Sequence, residues 1–179
     1  DSLRRMIRET NLSVNDLILP LFVIDGKNVK NPIPSMPGHF HLSIDNFLKT
    51  AKQACDLGIP AIIIFGIPGK KDALGTEAYA ANGIVQKAIK AVKEKLPDLV
   101  AITDVCLCQY TDHGHCGVVE GNTIDNDASL DLIRPLVDLR DLRVSHHLLD
   151  RVLLHVAVPA QDLDGVGRDL HHNVGREEL

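Results

Sequence analysis

Hydrophobic and polar positions in the first two-thirds of the chain alternate between two rhythms. Leu17 to Val23 is a short apolar run that predicts a buried strand. Pro20 within it predicts a bulge or barrel-edge irregularity, because proline cannot donate to a central ladder. Asn31 to Gly38 carries Pro32, Pro34 and Pro37 and predicts a rigid loop. Ser43 then stands where a helix N-cap belongs, and Ile44, Phe47, Leu48, Ala51 and Cys55 recur along one helical face. Gly58 fits the position just past the end of that helix, and Pro60 stops it. Ala61 to Gly66 predicts a second buried strand, followed by a polar, glycine-rich loop to Asn82 and Gly83. A second helix shows Val85, Ala88, Ile89, Val92 and Leu96 on one face and ends before Pro97. Leu99 to Val105 predicts a third strand.

The order is strand, helix, strand, helix, strand. Near-continuous apolar strands between amphipathic helices imply a parallel sheet covered by helices. No G-x-G-x-x-G opens either helix, so a β/α barrel is favoured over a nucleotide-binding open sheet. A complete eight-fold barrel takes about 250 residues, whereas this chain has 179. The predicted fold is therefore α/β, an incomplete (β/α)8 TIM-type barrel of about three β/α units over residues 1–133. Asp1 to Thr10, with Leu3, Met6 and Ile7 on one side, predicts a short arm that docks on another surface.

From about Arg134 the character changes. The last of ten lysines is Lys95, and five of nine histidines fall between His146 and His172. Strand–helix alternation fades after a helix start at Asp127 to Leu132. Residues 134–179 are expected to be a tail of aberrant composition, either frame-shifted or a disordered or helical His-rich extension. Its scattered histidines have no metal-ligand spacing.

Net charge of −5 marks no nucleic-acid binder. No apolar run approaches the length of a membrane span. With no signal or transit segment visible, the expected location is cytoplasmic.

Three of the four cysteines, Cys106, Cys108 and Cys116, crowd into eleven residues at the end of the third strand. Cys55, on the helical face, reads as core filler. Active sites of β/α barrels are built at the strand C-termini. Three thiolates there would occupy three corners of a tetrahedron and leave the fourth open, as in catalytic zinc sites. The alternatives are three reduced, non-liganding cysteines or a cysteine redox loop. His113 and His115 flank the third cysteine, in an outer-shell role or in ordinary loop hydrogen bonds. Asp104 either caps the loop backbone or takes a catalytic part. Asp125 and Asp127 read as helix-capping residues, and Lys70 and Lys71 as surface charges.

The stretch Asp104-Val-Cys-Leu-Cys-Gln-Tyr-Thr-Asp-His-Gly-His-Cys-Gly117 resembles the zinc-site signature of the porphobilinogen synthase (5-aminolevulinate dehydratase) family. Asn15 to Val23, Ile33 to Gly38, Phe65 to Pro68 and Ile124 to Ala128 extend the likeness over about Asp1 to Leu132. The resemblance implies a barrel enzyme of tetrapyrrole (haem) biosynthesis, a lyase that condenses two 5-aminolevulinate molecules to porphobilinogen with loss of two waters. It implies zinc on Cys106, Cys108 and Cys116, a catalytic Asp104, and octamers assembled through the N-terminal arm. The family's Schiff-base lysines lie on later strands, and this chain has none beyond Lys95. It is therefore expected to be inactive alone, or a zinc-binding remnant that associates with intact subunits.

Overall fold

The computed structural model describes residues 2–140 and 152–156. The two chain rhythms become a six-stranded sheet with helices on one face. Strand β1 is Ile18–Ile24, β2 Lys30–Pro32 and β3 Phe40–Leu42, followed by helix α2, Ile44–Asp56. Then come β4, Ala61–Ile67, helix α3, Ile84–Lys95, and β5, Val100–Val105. A short β6–β7 hairpin (Val118–Glu120, Thr123–Asp125) leads into α4, Asn126–Arg140, and β8 is Val152–Val156. The sheet order is β2-β3-β1-β4-β5-β8, parallel throughout except for the β2–β3 pair. This is the expected partial β/α barrel. The boundary expected between residues 133 and 134 falls inside α4. The scattered histidines of the tail lie outside the described residues, apart from the strand position His155.

Alternation along the strands sets two faces. Leu21, Val23, Ile62, Ile64 and Ala101 pack with Phe47 and Ala51 of α2 and Val85, Ala88, Ile89 and Val92 of α3. Cys55 is half-buried against this core, as its place on the α2 face predicts. On the other face Phe22 and Phe65 are register partners and stack with ring centroids 5.3 Å apart. Both are only half-buried. In a closed barrel this face would line the interior.

Several local expectations change. β1 and β4 stay in continuous register from Ile18↔Ala61 to Ile24↔Ile67, so Pro20 makes no bulge. β3 accompanies β1 only at Phe22 and Val23, which leaves a flank at Pro20 where a missing N–H breaks no ladder. The rigid loop after β1 is narrower than predicted, because Lys30–Pro32 pairs with Phe40–Leu42 and turns occupy only 33–39. Pro32 is tolerated because β2 lies at the sheet edge. The N-terminal helix α1, Ser2–Met6, is wholly exposed, with Met6 82% accessible.

Ser43 precedes α2 but makes no capping bond. Its hydroxyl accepts from the Val29 N–H at 2.8 Å and lies 2.7 Å from Asp45 Oδ1, whose carboxylate also accepts from the Asn28 N–H. The residue therefore ties the 25–29 loop to the helix start rather than capping it. At the other end the Gly58 (φ +80°) N–H bonds to the Cys55 carbonyl and the Ile59 N–H to Ala54, closing a Schellman turn. Ser43→Ala should cost about 1–2 kcal/mol by leaving the Val29 amide unpaired in a half-buried position. A urea-melt midpoint equal to that of the unaltered chain would refute this.

Candidate metal centre

β5 delivers Asp104 and Cys106 to the C-terminal edge of the sheet, where the chain turns. Leu107 accepts from the Tyr110 N–H at 2.8 Å and the Thr111 N–H at 3.0 Å. The turn is anchored by its apolar side chains. Leu107 and Tyr110 are fully buried in a second small core with Ala78, Val105 and Leu136, and Cys116 packs against it. Driving Leu107 inward leaves Cys106 and Cys108, two positions apart, free to converge. Gly114 (φ +75°) has open space around its α-carbon and lets the loop double back, and Thr111 Oγ1 closes it with a bond to the His115 carbonyl at 2.8 Å.

The outcome is a sulfur cluster. Cys106 Sγ lies 3.1 Å from Cys108 Sγ and 3.0 Å from Cys116 Sγ, and the Leu107 N–H points at Cys116 Sγ from 3.2 Å. Gln109 Nε2 donates to Asp104 Oδ2 at 2.9 Å, and Asp104 is 9% exposed. Three of the four cysteines therefore meet, as expected, beside Asp104. The histidines flank them without joining in. His113 Nε2 faces the Ala73 carbonyl at 3.2 Å, and its Nδ1 accepts from the His115 N–H at 3.1 Å. That pairing places the proton on Nε2. The two rings stack at 5.6 Å. Among the described residues neither histidine bonds a sulfur, so in this structure both are occupied by ordinary loop contacts.

A second loop braces the first. The Asp72 N–H bonds to the Tyr110 carbonyl at 3.3 Å, and the Asp112 N–H to the Asp72 carbonyl at 3.1 Å. The Asp72 carboxylate accepts from the Leu74 and Thr76 amides at 3.0 Å. The Thr76 backbone bond is the main reason its carboxyl sits below the usual range. The sequence reading passed over this brace. The available signal was the Asp72–Gly75 turn, an Asx-type start with a left-handed glycine (φ +63°). Lys70 and Lys71, beside it, are exposed as expected. Asp125 caps α4 by accepting from the Ala128 N–H at 3.0 Å, also as expected, while Asp127 is an exposed first-turn acid.

Proton sharing dominates the electrostatics of the cluster. The Cys106 thiol donates to Cys116, which lowers Cys116 to about 6, helped by the Leu107 amide and opposed by burial. Cys106 is pushed up by the same bond and by burial. The shared proton therefore favours the thiolate at Cys116 and the thiol at Cys106. Thiolates are the reactive species, so in the metal-free chain iodoacetamide should label Cys116 first at pH 7. The rate should fall as the pH drops through about 6. Cys55, raised by burial, should react more slowly. Peptide mass mapping that finds Cys55 or Cys106 labelled first would contradict this.

A tetrahedral site with zinc–sulfur bonds of about 2.3 Å separates its sulfurs by roughly 3.8 Å. As placed, the sulfurs are in contact, and no group of three ligating side chains among the described residues stands ready-made at metal-binding spacing. A spread of roughly 0.7 Å, within reach of side-chain rotation on a glycine-hinged loop, would open the cluster to that size. The donor set itself is soft, converging and already one thiolate strong, which fits zinc and disfavours magnesium or calcium. A shallow depression beside the cluster is lined by His115, Val119 and residues 121–124 of the β6–β7 hairpin, and has neither Asp104 nor the thiols in its walls. Among the described residues no helix is long and apolar enough to cross a membrane.

Comparison with known proteins gives the family. The family model described as delta-aminolevulinic acid dehydratase matches residues 1–137. The delta-aminolevulinic acid dehydratase of Halalkalibacterium halodurans is 54% identical over 132 residues, 74% of this chain and 40% of that protein. That of Ruminiclostridium josui is 43% identical over 163 residues, 91% of this chain and 75% of that protein. A Toxoplasma gondii delta-aminolevulinic acid dehydratase, solved in complex with the reaction product porphobilinogen, superposes with a TM-score of 0.72 at 34% identity. The match covers 77% of this chain and 41% of that one. The chain thus spans about two-fifths of the length of relatives such as the Halalkalibacterium protein. On the shared fold and the match over residues 1–137, the chain belongs to the delta-aminolevulinic acid dehydratase family.

Proposed function

We propose that this chain carries the metal-binding part of a porphobilinogen synthase site, the enzyme that condenses two 5-aminolevulinate molecules to porphobilinogen with loss of two waters. One observation carries the reading: three cysteine sulfurs converge beside Asp104 at the strand end of this family's barrel. Zinc, which Cys106, Cys108 and Cys116 would hold, would supply Lewis-acid polarisation of a substrate carbonyl or bound water. Asp104, fixed by Gln109 and nearly enclosed, is placed to accept a hydrogen bond or proton from a substrate held against the cluster. The family chemistry also needs a lysine amine to form a Schiff base. The ten lysines lie in loops, on β2, and on α2 and α3, and none is on β1, β4 or β5. The chain alone therefore binds zinc and forms no porphobilinogen.

Purified chain should hold about one zinc per molecule by elemental analysis, lost on chelation, and give no porphobilinogen colour with 5-aminolevulinate. Absence of zinc from protein purified in zinc-supplemented medium would sink the metal assignment, and measurable porphobilinogen would sink the claim of inactivity. A second reading, a non-catalytic chain that associates with intact octameric subunits, is favoured by the exposed Leu3, Met6 and Ile7 and by the half-buried Phe22–Phe65 face. Co-purification with intact enzyme and a changed activity of the mixture would support it.

A further inference from the structure

Gln109, which fixes Asp104 in the reading above, also joins the two ends of the cysteine turn. Its amide Nε2 donates to Asp104 Oδ2 at 2.9 Å, across a segment whose intervening residues include Cys106 and Cys108. Asp104 is a nearly enclosed carboxylate. A buried carboxylate beside thiolates is tolerated only when donors hold it. Gln109 is such a donor, it is neutral, and it is itself half-buried on the same turn.

We propose that Gln109 is a positioning residue of the metal centre: it pins the Asp104 carboxylate to the cysteine turn and thereby sets how tightly the three thiolates hold a divalent metal. This rests on the zinc assignment above. Without the amide the turn loses the cross-brace between Asp104 and Gln109, and the ligand geometry it holds is weakened. Outer-shell partners of metal ligands are worth about 10–100-fold in affinity.

The test is cobalt(II) titration of the full chain, reading the sulfur-to-cobalt charge-transfer band, with Gln109→Leu, Gln109→Glu, Asp104→Asn and the Gln109→Leu/Asp104→Asn pair. The expected result is the same band in the unaltered chain and both Gln109 variants, with about 10–100-fold weaker binding in the variants. In the Asp104→Asn background, Gln109→Leu should add little, because the bond it removes is already altered. Variant affinities within twofold of the unaltered chain would overturn the proposal. So would an equal loss in the Asp104→Asn background, or a fall in the metal-free melting midpoint that accounts for the loss, since either marks a purely structural role. No band in the unaltered chain would instead remove the zinc assignment on which the proposal stands.

Discussion

Cys106→Ala is expected to abolish metal binding at micromolar zinc and, in the same protein, to make Cys116 less reactive. Cys106 is the hub of the cluster, in contact with both other sulfurs at 3.1 and 3.0 Å. Removing it leaves two thiolates, too few for a stable soft-donor site, so the loss should exceed the about 10–100-fold attached to outer-shell partners. The second effect follows from the shared proton. The Cys106 thiol is the largest cause of the low value of Cys116, so its removal lets the Cys116 thiol rise towards its ordinary range. Alkylation of Cys116 at pH 7 should slow even though the site is more open. Competition with a zinc chelator measures the first effect and timed iodoacetamide labelling the second. Faster labelling of Cys116 in the variant would show that steric shielding outweighs proton sharing.

Gly66→Ala is expected to cost about 2–3 kcal/mol, the upper part of the range for overpacked cores. Gly66 lies in β4 with an ordinary φ, so it is required for space and not for backbone freedom. A β-carbon there would stand 2.4 Å from Val85 Cγ2 and 2.5 Å from the Tyr110 hydroxyl. Val85 belongs to the fully packed α3 face and Tyr110 is a rigid ring at 2% exposure, so neither yields cheaply. Because Tyr110 anchors the cysteine turn two residues from Cys108, the strain should reach the metal centre as well. A thermal midpoint lowered by about 5–10 °C, with weaker zinc binding, is the predicted result. A midpoint within one degree of the unaltered chain, measured by calorimetry, would contradict the packing argument.

The elements that share the main core were legible from periodicity. The apolar face from Ile44 to Cys55 became α2, and Ala61–Gly66 and Leu99–Val105 became β4 and β5 within a residue at each end. Each buries its apolar positions against the others, so pattern and packing coincide. β2, β3, β6 and β7 were missed because three residues are too few to show a period, and the first pair is held by an edge ladder. Gly121-Asn122 was a usable hairpin signal between β6 and β7. Ser43 was placed correctly but given the wrong partner, since its bond to Val29 spans fourteen positions. The convergence of Cys106, Cys108 and Cys116 was legible because the three sit in one short loop. The Asp72 brace and the Gln109–Asp104 bond were not, because a polar residue in a loop does not announce its acceptor.

The most direct test of the central claim is zinc K-edge X-ray absorption on the zinc-loaded chain. The account predicts three sulfur scatterers at about 2.3 Å and one lighter oxygen or nitrogen atom. A shell of oxygen and nitrogen alone would contradict it, and would move any bound zinc away from Cys106, Cys108 and Cys116.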